Sequence, residues 1–293
     1  MTELETIAEA VGKGRCILFL GAGVHYGPPK DADPAYLAAY PEDRRPPLGG
    51  ALSELLATES DFATRFPGAD ARDLKRVGWH YEDKFSRNRL MKRIKDEVHV
   101  NKIASPIVRG LAELDFPLVV TTNFDQLFEQ SLRAAGKQPQ LCVYSPSAQN
   151  ATRDPIDDPT PANPLICKLH GDIDQPESAV VTDEDYIQFV LRMGDKPPYH
   201  PVPETFLFRF RRWPTLFIGY SLIDYNLRLL FKAMRVNLDP AQFPETYSID
   251  PKPDQLIVRY WSDQRRYVRF VTQDVWAFVP ALYQLIKKAP MPA

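Results

Sequence analysis

Residues 16–23 are CILFLGAG, an apolar run that ends in two glycines separated by an alanine. A continuous apolar run is typical of a strand that is buried on both faces, as in a parallel sheet. Glycines directly after such a strand let the backbone approach a diphosphate, which the N–H groups of the following turn can bind. Gly21, Ala22 and Gly23 are therefore candidate ligand-binding residues, although a glycine turn that serves packing alone would have the same sequence.

Five further apolar runs have the same character. They are LVVTTNFD from Leu118, LICKLHGD from Leu165, TLFIGYSL from Thr215, TYSID from Thr246 and YVRFVTQ from Tyr267. Helical patterns lie between several of them: Ser105 and Pro106 form an N-cap and first-residue pair, and residues 125–135 have helical spacing. Thr182 and Asp224 are candidate N-caps of two later helices. Strands that alternate with helices predict a parallel sheet.

The interval from residue 28 to residue 110 has helical patterns and no convincing strand. Its apolar positions at helical spacing are Leu52, Leu55 and Leu56, followed by Leu74, Val77, Tyr81 and Phe85. We interpret it as a helical insertion after the first strand. The predicted fold is α/β, a Rossmann-like open parallel sheet with helices on both faces and this insertion, in a single domain over residues 1–293.

The composition excludes several classes of protein. A net charge of −2 is not expected of a protein that binds mainly to a nucleic-acid backbone, and no apolar run is long enough to span a bilayer. The N-terminal sequence is acidic and amphipathic, unlike a secretory signal. Cys16, Cys142 and Cys167 are isolated, which fits a reducing cytoplasm and excludes a zinc ribbon built from cysteine pairs. We therefore expect a cytoplasmic protein without membrane or specific nucleic-acid contacts.

The glycine spacing argues against two common nucleotide-binding classes. Gly21, Gly23 and Gly27 form GxGxxxG rather than the GxGxxG of dehydrogenases, and the region about 20 residues later is no strand ending in a ribose-binding acid. The sequence also has no GxxxxGK[ST] motif. A nicotinamide dehydrogenase is disfavoured, and a P-loop ATPase is excluded.

Polar side chains follow four of the later predicted strands. They are Thr122, Asn123 and Asp125, then His170 and Asp172, then Ser221 and Asp224, and finally Asp250. Because ligands of open α/β sheets bind beyond the carboxyl ends of the strands, we expect these side chains near the glycine turn. A histidine at position 170 suits general-base chemistry, although a packed structural histidine would have the same context. His25, His80, His99 and His200 lack this setting and are predicted to be surface or packing residues.

Five motifs occur in a fixed order along the chain. They are GAG at 21–23, TTNFD at 121–125, HG at 170–171, GYSL at 219–222, and the acidic strand end Asp250. Together they resemble the SIR2-like family, over roughly residues 16–285. The resemblance implies a Rossmann-like domain that binds NAD.

The resemblance also implies roles for individual residues. The implied catalytic residues are Asn123, Asp125 and His170, and the implied NAD-binding residues are Gly21, Ala22, Gly23, Thr122, Ser221 and Asp250. Asn123 and Asp125 would hold the nicotinamide ribose and the water or carboxamide around it. His170 would be the general base that works through the ribose hydroxyls. Ser221 and Asp250 would lie on the adenosine side, and the glycine loop would line the diphosphate.

Three departures from the family's protein deacetylases point to a subgroup. The zinc-binding CxxC…CxxC is absent, His25 stands where deacetylases usually have serine, and Thr122 replaces the glutamine of TQN. The TTNFD, GYSLIDYN and VTDEDY segments resemble bacterial SIR2-like NADases of anti-phage systems. The resemblance thus implies hydrolysis of NAD, as a substrate, without a metal. A non-catalytic subunit that binds NAD or ADP-ribose and an NAD-dependent protein deacylase are the alternatives.

An NAD hydrolase needs control, because uncontrolled NAD loss harms the host. We therefore expect a homo-oligomer and a separate protein partner, such as a ring ATPase or another defence component. Large side chains near the C-terminus fit either an interface or the core, and the core is the commoner place for them. They are Trp261, Trp276, Phe278 and Tyr283.

Overall fold

A computed structural model describes residues 2–147, 157–196, 198–222, 244–262 and 268–293. At its centre lies a parallel sheet of seven strands in the order β3-β4-β2-β1-β5-β6-β7. The strands are β1 (Ile17–Leu20), β2 (Leu118–Thr121), β3 (Gln140–Val143), β4 (Leu165–Lys168), β5 (Thr215–Ile218), β6 (Thr246–Ile249) and β7 (Val268–Val271). The sheet and the helices around it confirm the predicted Rossmann-like α/β fold.

Helices cover both faces of the sheet. They are α1 (Glu3–Gly12), α2 (Pro34–Ala39), α3 (Gly49–Glu59), α4 (Phe62–Arg65), α5 (Leu74–Lys84), α6 (Arg87–Val98), α7 (Pro106–Glu113), α8 (Leu127–Ala134), α9 (Asp183–Arg192), α10 (Glu204–Phe210), α11 (Gln255–Ser262) and α12 (Val275–Lys287). The predicted N-caps Ser105 and Thr182 accept hydrogen bonds from the first turns of α7 and α9. The helix predicted from Asp125 begins at Leu127, and the one predicted after Asp224 lies outside the described residues.

The central strand β1 explains why the sheet is buried on both faces. Leu18 and Leu20 pack into a core with α1, α7, α8 and α12. Ile17 and Phe19 point the other way, into a core with α9, α10 and α11. Alternate side chains of one apolar strand thus supply two hydrophobic cores. This arrangement accounts for the continuous apolar runs of the sequence.

One strand was missed by the sequence analysis. The strand β3 lies at the sheet edge and has a single buried side chain, Cys142. An edge strand of this kind needs no continuous apolar run, and it lies among prolines that indicate a loop. The other six strands were predicted.

A helical layer follows β1, as predicted. Helices α2 to α6 lie between β1 and β2 in the chain, and the core that α3 to α6 share includes Leu56, Val77 and Ile94. Ile173 and Val181, from the region after β4, pack into the same core. The layer therefore sits over the carboxyl edge of the sheet on the β4 side. The bounds 28–110 and the single domain over 1–293 remain predictions.

The C-terminal aromatic residues belong to the core. Trp276, Phe278 and Tyr283 are buried with α1 and α7, and Trp261 is buried against the opposite face of the sheet. This placement confirms core packing, the commoner of the two expected places for these side chains. Among the described helices, none is long and apolar enough to cross a membrane.

Candidate active site

Two glycine turns meet at the carboxyl ends of β1 and β5. The N–H of Gly23 donates to the carbonyl of Gly219 at 2.9 Å. A Cβ atom at Gly21 would lie 2.5 Å from the Gly219 carbonyl oxygen, and Gly219 has a φ of +74°, which favours glycine. Because β2 and β6 lie on opposite sides of this strand pair, the contact marks a switch point, where open α/β sheets bind ligands. Backbone packing alone thus requires these glycines, and their contact with a diphosphate remains a prediction.

A cavity of about 240 Å³ opens beside this contact. Five of the predicted site residues line it: Ala22, Thr122, Asn123, Asp125 and His170. The structure thus gathers the loops that follow β1, β2 and β4 around one space. The other predicted NAD-binding residues, Gly21, Gly23, Ser221 and Asp250, are not among the described residues that line it.

The two residues predicted on the adenosine side lie at the ends of β5 and β6. Ser221 is exposed. Asp250 is half-buried, and its Oδ1 accepts a hydrogen bond of 2.9 Å from the N–H of Lys252. Both remain open to solvent on the edge of the sheet, outside the cavity.

The helical layer supplies a wall of the cavity that the sequence did not predict. Pro46, Pro47 and Leu52 line it, together with Leu74 and Lys75 at the start of α5. The apolar side chains at helical spacing predict that these helices pack against other elements, but they do not predict a contact with the site. Its position over the sheet edge turns that packing surface into part of the site.

Asp125 is buried, and both of its carboxylate oxygens are engaged. Oδ1 accepts from the N–H of Leu127 at 2.9 Å, next to the start of α8, and Oδ2 lies 3.2 Å from Nε2 of His25. Burial by itself raises the pKa of Asp125, but the neighbouring His25 and Lys168 outweigh it and lower this pKa to about 2. Asp125 is therefore an anion at neutral pH.

His25 is predicted to be a surface or packing residue, and the structure places it at the candidate site. The short 3-10 turn Ala22–His25 carries the side chain inward, where it is 4% exposed, lines the cavity and pairs with Asp125. The signal was its position in GAGVH, two residues after the glycine turn. His80, by contrast, is buried in the helical layer and bonds to the Ser60 carbonyl, as a packing residue does.

His170 lies two residues after the end of β4 and is 8% exposed. Its ring makes edge-on contacts with Tyr186 and Phe189, at centroid distances of 5.0 and 5.6 Å. The Tyr186 hydroxyl lies 3.5 Å from Nδ1 of His170. Two rings of α9 thus hold the imidazole against the cavity wall, and Tyr186 is a site residue that the sequence analysis missed.

Tyr220 is the second aromatic residue that was missed. Its hydroxyl accepts from the N–H of Thr122 at 3.2 Å and lies 3.1 Å from the Thr122 hydroxyl. The bond ties the loop after β5 to the loop after β2, across the turn at Ala22. Both missed tyrosines occur in quoted motifs, VTDEDY and GYSL, so sequence position was an available signal.

Comparison with known proteins relates this site to a family. The family model of the SIR2-like domain matches residues 117–269. The chain belongs to the SIR2-like family. The match begins just before β2 and includes the segments with Asn123 and His170, and it confirms the resemblance predicted from the motifs. In the described part of the chain, no group of histidine, cysteine and carboxylate side chains is placed to hold a metal ion.

Several relatives of this SIR2-like chain are bacterial. One is an NAD(+) hydrolase ThsA from Enterococcus faecium, 30% identical over 246 residues, which are 82% of this chain and 44% of that protein. A second NAD(+) hydrolase ThsA, from Acinetobacter baumannii, is 27% identical over 58% of this chain and 33% of its own length. Defense-associated sirtuin 2 from Bacillus subtilis is 26% identical over 55% of this chain and 15% of its own length. The chain thus spans less than half the length of these relatives.

Proposed function

We propose that this SIR2-like chain hydrolyses NAD at the nicotinamide–ribose bond, giving ADP-ribose and nicotinamide. The observation that carries the proposal is the shared cavity of Asn123, Asp125 and His170 beside the glycine turn of β1. The names of the relatives, NAD(+) hydrolases among them, support the same chemistry.

In the proposed reaction the bond between ribose C1′ and the nicotinamide nitrogen breaks, and its electron pair leaves with neutral nicotinamide. Water then adds to the oxocarbenium-like ribose and gives up a proton. Asn123 orients this water and the ribose, and His170 is the base that accepts the proton through the ribose hydroxyls. The edge-on rings of Tyr186 and Phe189 hold that base in place.

Asp125 has a supporting part in this reaction. Because its two oxygens bind the Leu127 N–H and His25, we assign it to holding the loop and His25 rather than to accepting the proton. Its low pKa, about 2, keeps it charged in this task at neutral pH.

The ends of the sheet suggest how NAD lies. We place the nicotinamide ribose in the cavity next to Thr122 and Asn123, and the diphosphate near the turn at Gly21, Ala22 and Gly23. The adenosine half then extends outside the cavity, toward Ser221 and Asp250 at the ends of β5 and β6. NAD serves as a substrate, and the proposed reaction uses no metal.

We further propose that NAD depletion in the cytoplasm serves bacterial anti-phage defence. The name of the Bacillus subtilis relative, a defense-associated sirtuin, supports a role in defence. Control of the reaction would come from a homo-oligomer and a separate protein partner, such as a ring ATPase or another defence component. We expect no specific nucleic-acid contact and no membrane contact. A light-scattering mass that stays monomeric, alone and with the products of neighbouring genes, would contradict this part.

The decisive experiment is NAD consumption with identification of the products. Wild type is expected to release ADP-ribose and nicotinamide, alone or with its partner, and His170→Ala should be roughly 100- to 10,000-fold slower, as is typical when a general base is lost. His200→Ala is the matched control, because His200 is a half-buried histidine that bonds to Val202 and does not line the cavity.

Three results would overturn the proposal. Equal rates of NAD hydrolysis by wild type and His170→Ala would show that His170 is not the general base. Saturable NAD binding with no cleavage under any condition would instead make the chain a binding subunit. NAD consumption only with an acylated lysine peptide would make it a deacylase.

A further inference from the structure

Lys168 is completely buried between two segments of the site. We call residues 122–125 the TNFD segment and residues 170–172 the HGD turn. Lys168 ends β4, and its side chain is 0% exposed. Its ammonium donates to the carbonyl of Asp125 at 2.6 Å and to that of Phe124 at 3.2 Å. The charge thus lies directly behind the segment that carries Asn123.

Two buried carboxylates balance this ammonium. Glu129 Oε1 and Asp172 Oδ2 each lie 2.8 Å from Nζ, and their side chains are 3% and 2% exposed. Burial by itself lowers the pKa of Lys168, but Glu129 and Asp172 raise it above its usual value. Because Asp172 belongs to the HGD turn, the ammonium contacts both segments at once. A buried charge is costly, so a fold that retains one needs good partners for it.

Neighbouring hydrogen bonds join the same two segments. The N–H of Ile173 donates to the carbonyl of Phe124 at 3.0 Å, and the side-chain amide of Gln126 donates to Asp172 Oδ1 at 2.8 Å. Lys168 itself is not among the described residues that line the cavity. It is therefore placed to act on the site through the backbone and not by touching a substrate.

We propose that Lys168 is a positioning residue, whose buried ammonium holds the TNFD segment against the HGD turn and so sets the placement of Asn123 relative to His170. The kinetic consequence rests on the proposed NAD hydrolysis. The structural consequence, a link between two backbone segments, does not depend on that reaction.

The test compares Lys168→Met/Glu129→Gln with Glu129→Gln. The double variant removes the ammonium together with the Glu129 carboxyl group that faces it, so no carboxyl group is left unpaired at position 129. Asp172 keeps its hydrogen bond from the side-chain amide of Gln126. We expect kcat for NAD to be roughly 100-fold lower in the double variant than in Glu129→Gln, the effect of misplacing groups by about 1 Å. KM should stay within about threefold, since neither substituted residue is among the described residues that line the cavity.

Arg192→Met is the matched control for loss of a buried cation. Arg192 has a side chain that is 6% exposed and donates to the carbonyls of Ser145 and Tyr199 at 2.6 Å each. These residues are outside the cavity lining. Arg192→Met should lower the melting temperature, as the double variant does, but leave kcat of the folded protein near wild type. A similar kcat in Arg192→Met and the double variant would overturn the proposal.

Amide hydrogen exchange separates this proposal from the proposed function. In the double variant the amides of Leu127 and Ile173 should exchange faster than in Glu129→Gln, while the amides of β1 keep their protection. Unchanged exchange at both positions would overturn the positioning role, whether or not NAD is hydrolysed. If exchange is faster in the double variant while the wild type never cleaves NAD, that combination would support the link between the two segments and overturn the proposed NAD hydrolysis.

Discussion

The two sides of the carboxyl edge of the sheet differ in how firmly they hold their polar residues. On the β2–β4 side, Asp125, Lys168 and His170 are buried, and each contacts several neighbours. On the β5–β6 side, Ser221 is exposed, and Asp250 is half-buried with a bond to its own turn. Bond cleavage needs groups held to within a fraction of an ångström, whereas holding the far half of a flexible substrate does not. The difference supports the proposed assignment of bond cleavage to the first side and of substrate binding to the second.

The largest expected difference between the two sides is in kcat. Asn123→Ala should lower kcat for NAD roughly 100- to 1,000-fold, since it removes an oriented polar group next to the reacting bond. Asp250→Asn should instead raise KM by up to about tenfold with kcat near wild type, because Asp250 is proposed to contact only the adenosine half of NAD. Steady-state kinetics of the two purified variants provides the comparison. If kcat falls as far in Asp250→Asn as in Asn123→Ala, the two sides do not divide into a catalytic side and a binding side.

The next effect concerns the glycine that joins the sides. Gly219→Ala places a Cβ atom 2.5 Å from the backbone nitrogen of Val24 at a φ of +74°. It should lower the free energy of unfolding by roughly 2–4 kcal/mol, through left-handed strain and overpacking together. Gly136→Ala is the control, with a φ of +79° and nothing within 4 Å, and should cost only about 1–2 kcal/mol. Equal losses in denaturant titrations would show that the contact between the β1 and β5 turns is unimportant for stability.

A smaller effect should appear as pH dependence of the β2–β4 side. Since folding lowers the pKa of Asp125 from 3.8 to about 2, the charged carboxylate stabilises the fold by roughly 2 kcal/mol above pH 4. This contribution is lost as pH falls from about 4 through 2, when the native carboxylate is protonated. Asp125→Asn lacks the titrating group, so the wild-type free energy of unfolding should fall more steeply than that of the variant between pH 6 and pH 3. Parallel curves would exclude a stabilising Asp125 anion.

Much of the site could be predicted because it follows strands of strong apolar character. Asn123 lies two residues after β2, and His170 lies two residues after β4. All four residues of each of these strands are buried. Parallel strands bring such positions to one edge whatever the details of packing. Two features were not predicted because their local sequence signals are weak. The strand β3 has one buried side chain, so it lacks a continuous apolar run. His25 has the sequence of an ordinary loop residue, and only the turn at residues 22–25 points its side chain inward.

The sequence by itself determined the parallel α/β sheet, the family and the polar residues at the strand ends, because burial on two faces and glycine turns leave local patterns. Only the tertiary structure decided which of these residues share a cavity. Contacts between distant segments, such as His25 with Asp125 and Lys168 with Glu129, depend on how helices and loops pack over the sheet. That packing is set by many weak side-chain contacts far apart in the chain, so no local pattern of the sequence records it.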